Sequence, residues 1–173
     1  TTRATGQVAR RDSHARYTEG GWREYCEAFA NGHAYEGEWG ISGRGFRGRQ
    51  EIRDVMAVIL DKFMRVLITY RNPILTVGQG SASGRTYVDE RCAWKNGETN
   101  IAIGTYFEHF VEQDGMWLFQ WRLFQRHYRG APDMTGDFTE NPDFGPPPAM
   151  PPRNAQTEDM ASARWGLPGA EEQ

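Results

Sequence analysis

Residues 100–128 constrain what this chain can fold into more than any other stretch. Two long, aromatic, β-rich runs flank the dipeptide Asp114-Gly115, and an Asp-Gly pair between such runs is a strong short-range hairpin signal. The register then decides which side chains share a face. A two-residue turn at Asp114-Gly115 sets Arg122 opposite Phe107 and Tyr106 opposite Leu123, which mixes polar and apolar residues on both faces. A three-residue loop, Gln113-Asp114-Gly115 with Gly115 left-handed in a bulge, shifts the pairing by one and moves every side chain to the other face. Val111, His109, Phe107 and Thr105 then meet Trp117, Phe119, Trp121 and Leu123, while Phe110, Glu108 and Tyr106 meet Leu118, Gln120 and Arg122. This register sorts the residues better and is the expectation. One face becomes an aromatic wall for packing. The other sets Tyr106 against Arg122 and Glu108 against Gln120 among apolar neighbours, which is how a small-molecule pocket is lined.

A chain of 173 residues suits one domain with a sizeable core. Its net charge of −3 supplies no basic footprint for nucleic acid. Cys26 and Cys92 are too few and too far apart for a disulfide framework or a zinc site, so a reduced, cytoplasmic setting is expected. No apolar run approaches the roughly 18 residues of a membrane span, and the polar N-terminal stretch has no signal-peptide core.

Along the chain, residues 1–19 are polar, with Val8, Ala15 and Tyr17 as the few candidates for a buried stripe. Trp22, Tyr25, Cys26 and Phe29 recur at helical spacing before the stop Asn31-Gly32. The run His33 to Trp39 alternates as a strand weakened by Gly37, with His33 and Tyr35 on one face and Ala34 and Glu36 on the other. Gly40 to Gly48 reads as a loop, and no Gly-Lys-Ser/Thr follows that would make it a phosphate cradle. The clearest helix runs from Arg49 to about Arg65 on the stripe Ile52, Val55, Met56, Ile59 and Phe63, with Glu51 in the first turn where the helix dipole favours it. Val66 to Tyr70 and Ile74 to Val77 read as strands around Pro73, which bars a central ladder position. Gly78 to Gly84 reads as a turn. Arg85 to Trp94 forms a strand that ends in a second hairpin signal, Asn96-Gly97, so strands 85–94, 100–112 and 116–128 make a meander. Residues 130–173 hold eight of the nine prolines and read as an extended tail, either solvated or anchored through Met150, Met160, Trp165 and Leu167.

This order of elements resembles the cone-shaped α+β fold of the nuclear transport factor 2-like superfamily, specifically its SnoaL-like family. Three stretches carry the resemblance: Trp22 to Phe29 before a strand, Phe46-Arg-Gly-Arg-Gln-Glu-Ile52, which is similar to the family's G-x-x-x-I helix start, and Asp114-Gly115-Met116-Trp117 leading to Arg122, which is similar to its terminal hairpin. It covers about residues 7–129, so the expected organisation is a 1–129 domain followed by a 130–173 Pro-rich tail. The resemblance implies a curved antiparallel sheet wrapped around helices with an internal apolar pocket, and acid–base work without a metal or redox cofactor. The superfamily includes ketosteroid isomerase, scytalone dehydratase, limonene epoxide hydrolase, a dehydrochlorinase, polyketide cyclases, a formaldehyde-releasing lignin-dimer lyase and non-catalytic binding modules. In its dehydrochlorinase and dehydratase branches an Asp on the first helix orients a His on the strand after the long helix. Those positions fall near Arg16 or Tyr17 and near Ile68, so neither partner is present, whereas a terminal-strand Arg found in some members falls on Arg122.

The expected catalytic residues are therefore His33, Tyr35, Tyr70, Glu90, Tyr106 and Arg122. The expected substrate-binding residues are Trp39, Val88, Phe110, Leu118, Gln120 and Phe124. Glu90 is preferred to Asp89 if the Asn96-Gly97 hairpin is bulged, because its parity then matches Val88 and Thr86. A simple two-residue turn would favour Asp89. A His with Tyr and Arg donors can remove a proton and stabilise the oxyanion that forms. The expected function is a cofactor-independent lyase, dehydratase or isomerase acting on a small hydroxylated aromatic or polycyclic compound, with a lignin-derived diaryl diol and formaldehyde release as the specific candidate. The alternative is a non-catalytic ligand-binding or assembly module. No metal or nucleotide is expected, since the chain lacks a zinc spacing, a P-loop and a dinucleotide fingerprint. The aromatic outer face is expected to form a homo-oligomer, most simply a dimer.

Overall fold

The computed structural model describes residues 22–41, 43–145 and 150–151. Helix α1 (Trp22–Asn31) buries Tyr25, Cys26, Phe29 and Ala30 on one stripe, and the Gly32 amide closes it on the Ala28 carbonyl. Strand β1 (His33–Ile41) follows at once. Its expected plain alternation fails, because the pairing shifts between His33 and Glu38. Gly37 lies in this bulge, where a Cβ would come within 2.7 Å of the Phe119 carbonyl oxygen. The bulge buries His33 completely and leaves Tyr35 57% exposed.

The glycine-rich stretch is more ordered than a loop. Strand β2 (Arg44–Arg47) folds back on β1 with Trp39 opposite Phe46, and burial of Phe46 gives the hairpin its reason. Helix α2 (Arg49–Leu60) starts after Gly48 at φ 79 and buries Ile52, Val55, Met56, Ile59 and Leu60. It ends five residues before the expected Arg65. Phe63 opens strand β3 (Phe63–Tyr70) instead and packs its ring 4.4 Å from that of Trp94, so a tertiary contact overrides the helical spacing.

Strands β4 (Ile74–Val77) and β5 (Ser81–Trp94) form a hairpin. The expected turn at Gly78 to Gly84 is shorter than its composition suggests, because Gly84 lets Leu75 sit directly over the backbone, within 2.4 Å of where a Cβ would stand. Strands β6 (Thr99–Gln113), β7 (Met116–Gly130) and the short β8 (Asp137–Phe138) complete the sheet. The order is β2-β1-β7-β6-β5-β3, with β4 on β5 and β8 on β7. The β1–β7 pair is parallel, so the sheet is mixed rather than wholly antiparallel. Among the described residues the result is the cone: two helices against a large, curved, unclosed sheet.

The β6–β7 hairpin corrects the expected register. Asp114 and Gly115 have φ 55 and 75, a tight two-residue turn of the kind that needs positive φ at both positions, and Gln113 faces Met116. A bulge at Gln120 then resets the ladder. Beyond it Glu108 faces Arg122, Tyr106 faces Phe124 and Phe107 faces Leu123. The even-numbered residues 106, 108 and 122 thus still share the inner face, although Tyr106 is not directly opposite Arg122 and Glu108 is not opposite Gln120. On the turn side of the bulge the parity is reversed. Phe119 pairs with Phe110 on the inner face rather than joining the outer wall, and Leu118 pairs with Val111.

The inner face and both helices share the main core, built on Trp39, Ile52, Ile59, Val88 and Phe124. On the outer face Phe107, Trp121 and Leu123 form a second cluster, against which Phe144 and Met150 of the tail pack. The tail is tied down further back. Thr139 N–H donates to the His127 carbonyl, and the Asn141 amide donates to the Arg126 carbonyl at 2.7 Å and to His127 Nδ1 at 2.9 Å. Val8, Ala15, Arg16, Tyr17, Met160, Trp165 and Leu167 lie outside the described residues. No helix among the described residues is long and apolar enough to cross a membrane.

Candidate functional site

Between the inner face of β3, β5, β6 and β7 and the helices lies a cavity of about 70 Å³. Trp39, Met56, Ile59, Leu60, Phe63, Val66, Ile68 and Phe124 make most of its wall, and Glu90, Tyr25, Tyr106, Asn100, Arg126 and Arg129 supply its polar groups.

The β5–β6 turn decides which acid enters this space. Trp94 N–H donates to the Glu98 carbonyl, Gly97 has φ 90, and Ala93 faces Thr99, so this hairpin is the bulged one. Glu90 consequently shares a face with Thr86 and Val88 and lines the cavity, whereas Asp89 pairs with Arg71 at 2.5 Å. Burial pushes the Glu90 carboxyl up to about 7 against the opposing pull of Arg122 and Arg129. Near neutrality Glu90 therefore populates both protonation states, as a general acid or base requires. Cys92, two residues on in the same wall, has its thiol pushed up by burial and by Glu90, which leaves it protonated and inert.

Tyr106 lines the cavity beside Phe124, with ring centroids 5.1 Å apart. The Tyr70 ring lies 6.2 Å away, and Tyr70 shares a hydrogen bond with Tyr25. Burial, then the neighbouring phenols, raise Tyr25 and Tyr106, and burial raises Tyr70. These three phenols are hydrogen-bonding groups and not bases.

Arg122 is placed differently. Its guanidinium lies over the Tyr106 ring at 3.7 Å and over Phe119 at 4.6 Å, while Nε donates to Glu108 at 2.9 Å. Thr86 donates to the other Glu108 oxygen at 2.9 Å. Burial opposes the Arg122 charge, and the Glu108 carboxylate more than offsets this, so the guanidinium is held above its ordinary range. Arg122 thus stands behind Tyr106, touching the face of its ring rather than the cavity.

The remaining expected residues divide. Trp39, Val88 and Phe124 are buried on the inner side, Trp39 and Phe124 in the cavity wall. Phe110 sits near the turn against Phe119, Leu118 faces Val111, and Gln120 is the bulge residue. Tyr35 is a surface staple, donating to Asp114 at 3.0 Å and stacking under Arg49 at 4.4 Å. His33 is buried between Phe29 and Phe119. Its Nδ1–H donates to the Phe29 carbonyl at 2.9 Å, which leaves Nε2 as an acceptor without a partner. Burial, then Arg122 and Arg49, lower it to about 4 and keep it neutral.

Tyr25, Asn100 and Arg129 are cavity residues that the sequence reading passed over. Tyr25 looked like one more member of the α1 stripe. Asn100 has the parity of Tyr106 and was within reach of that reading, but Arg129 was not. A second bulge between Arg126 and Tyr128 changes the parity of β7 again, and nothing in the local sequence marks it. Among the described residues no three His, Cys, Asp or Glu side chains come together as a metal-ligand group.

No family model matches the sequence, and no curated protein matches it. Solved structures do. Hexachlorocyclohexane dehydrochlorinase LinA-type3 from Novosphingobium barchaimii LL02 has a TM-score of 0.63 at 15% identity over 80% of this chain and 93% of that one. A scytalone dehydratase-like protein from Novosphingobium aromaticivorans gives 0.63 at 20% identity over 74% and 85%. A protein of unknown function with a cystatin-like fold, from Nostoc punctiforme, gives 0.56 at 17% over 71% and 88%. The fold is that of the nuclear transport factor 2-like superfamily, in agreement with the SnoaL-like resemblance of the sequence.

Proposed function

We propose that the protein is a cofactor-independent acid–base enzyme, of lyase, dehydratase or isomerase type, acting on a small hydroxylated aromatic compound in the cytoplasm. Glu90 is the proton-transferring group, and its position in an apolar cavity with a carboxyl pushed to about 7 is the observation that carries the reading. In this chemistry the carboxylate takes a proton from a substrate C–H and the C–H pair becomes a new C=C bond. Either an adjacent carbonyl becomes an enolate that Glu90 reprotonates at another carbon, or an adjacent C–OH bond breaks and the hydroxide leaves as water with the proton that Glu90 took. The neutral Tyr106 hydroxyl donates a hydrogen bond to the enolate or departing hydroxyl oxygen as charge develops on it. The dehydrochlorinase and dehydratase-like structural neighbours support an elimination or isomerisation of this kind.

Size narrows the substrate. A closed apolar cavity of about 150 Å³ holds a benzene, so a cavity of about 70 Å³ favours a single ring that is only partly inserted. A diaryl diol would need the wall at the partly exposed Trp94, Arg126 and Arg129 to open. The test is incubation with a panel of single-ring hydroxylated aromatics in D₂O, read by mass spectrometry for water loss or deuterium uptake. Wild type turns one over and Glu90→Gln loses about a hundredfold or more. Equal rates in both would overturn the assignment.

A second reading, a non-catalytic ligand-binding or assembly module, is favoured by Ile68. It occupies the cavity wall on β3, where the resemblance places the histidine of the catalytic dyad. Binding across the panel with no turnover would favour that reading.

A further inference from the structure

We propose that the cavity selects aromatic anions, carboxylates first, with Arg129 as the partner of the anionic group and the ring lying over Ala102 toward Glu90. The inference rests on reading this cavity as the substrate site. Its basis is one row across the sheet, in which Glu90 on β5 faces Ala102 on β6 and Ala102 faces Arg129 on β7. Cross-strand partners share a face, so the carboxyl and the guanidinium rise from the same side of the sheet with one methyl group between them. Neighbouring strands are about 4.8 Å apart, so the two backbones stand roughly 10 Å from each other, near the length of a single substituted ring.

The next row shows that this gap is specific. There Val88 faces Gly104 and Gly104 faces Arg126, but the Phe124 ring fills the space, lying 2.4 Å from where a Cβ of Gly104 would be. Over Ala102 the space belongs to the cavity. Arg129 is also oriented. Its guanidinium lies 5.0 Å over the Trp94 ring, and Trp94 Nε1 is fixed by Asn100 Oδ1 at 2.5 Å. A guanidinium held by its face recognises a carboxylate with its in-plane edge, as a two-point pair. Arg129 is itself partly exposed, which suits a charged substituent that stays half in water, and the Phe63, Trp94 and Phe124 rings of the cavity wall suit an aromatic body beside it. Glu90 responds to the Arg129 charge across the same gap.

The test titrates benzoate, benzamide and phenol into the full chain by isothermal calorimetry and ¹H–¹⁵N NMR at pH 7.5. Benzoate is expected to bind tenfold or more tightly than benzamide. Arg129→Gln removes this preference, Arg129→Lys keeps part of it, and Ala102→Leu blocks all three probes. Benzoate and benzamide binding equally to wild type would overturn the proposal, as would absence of benzoate binding or survival of the preference in Arg129→Gln. The wild-type comparison decides even if a variant fails to fold. Turnover of a neutral hydroxylated aromatic that depends on Glu90, together with no preference for benzoate, would remove the anion assignment and leave the proposed function standing.

Discussion

Glu108 and Arg122 form an ion pair at 2.9 Å with their side chains 4% and 6% exposed. Burial pushes the Glu108 carboxyl up, and Arg122, then the Thr86 hydroxyl, pull it back. Breaking one partner of such a pair leaves a buried charge and typically costs about 3–5 kcal/mol, while replacing both by apolar residues is often near neutral. Arg122→Leu should therefore lower stability by that order, and Glu108→Leu with Arg122→Leu should recover most of it in a double-mutant cycle by urea unfolding. Additive losses would contradict a coupled pair.

Tyr106 separates structure from chemistry. Its ring carries the cation of Arg122 while its hydroxyl group belongs to the cavity residue. Tyr106→Phe keeps the ring, so stability should change by about 1 kcal/mol or less, whereas kcat/KM should fall roughly a hundredfold on loss of the hydrogen bond to the developing oxyanion. Near-wild-type kinetics in folded Tyr106→Phe would mean that the hydroxyl does not reach the reacting oxygen. Arg122→Lys, which keeps the charge but not the planar fork, should show mainly in the melting temperature.

The pH dependence of Glu90 has a definite sign. Its folded value of about 7 lies above the unfolded carboxyl range near 4.3, so the fold prefers the neutral acid. That stabilising contribution is complete below about 4.3 and is lost as pH rises through 7. Catalysis by the carboxylate runs the other way, with kcat/KM rising through about 7. Glu90→Gln should thus raise the melting temperature at pH 8 more than at pH 5, while abolishing the pH dependence of the residual rate. A variant equally stable relative to wild type at both pH values would show that the carboxyl is ordinary.

His33 titrates with the opposite consequence. Held neutral down to about 4, it takes up a proton in the unfolded chain near 6.5 first. Stability is therefore intact above about 6.5 and falls as pH drops toward 4, by on the order of 2–3 kcal/mol. In a Glu90→Gln background, where the opposing contribution of that carboxyl is gone, unfolding free energies from guanidinium titrations at pH 7.5 and 5.0 should differ accordingly. His33→Gln should flatten that slope, and an unchanged slope would place its cause elsewhere.

How far the sequence reached follows from where the sheet is regular. Periodicity located α1, the start of α2 and the three long strands, because each buries a continuous stripe such as Ile52, Val55, Met56 and Ile59. It left Glu90 and Asp89 as alternatives that depend on the Asn96-Gly97 turn, preferring Glu90 for its parity with Val88 and Thr86, and the bulged hairpin decides for Glu90. It failed wherever a bulge intervened. Gln120 reset the main hairpin, so that a three-residue loop near the turn and a bulge five residues past Gly115 give the same parity at Tyr106 and Arg122 but opposite parity at Phe119. The bulge around Gly37 turned Tyr35 outward, and the one before Tyr128 brought Arg129 in. Bulges are set by close backbone approach, as at Gly37 against Phe119, and such contacts between distant strands leave little trace in local composition.

The outer sheet face yields the prediction on assembly. Phe144 packs edge-on against Phe107 with centroids 5.5 Å apart, and with Met150 it covers the cluster of Phe107, Trp121 and Leu123. The tail thus does part of what a second subunit was expected to do. Tyr87, on the same face, remains 38% exposed, and Met116 and Phe138 remain 54% and 65% exposed. An exposed aromatic such as Tyr87 on the face that carries the Phe107, Trp121 and Leu123 cluster suits a contact between chains, and a two-fold axis on this face would cover it on both copies. We therefore expect a dimer by light scattering at micromolar concentration. Tyr87→Glu should shift it toward monomer with the fold retained, whereas Phe144→Ala should lower the stability of each subunit by about 1–2 kcal/mol through the lost aromatic contact. A wild-type monomer whose stability still falls on Phe144→Ala would show that the tail alone is the partner of this face.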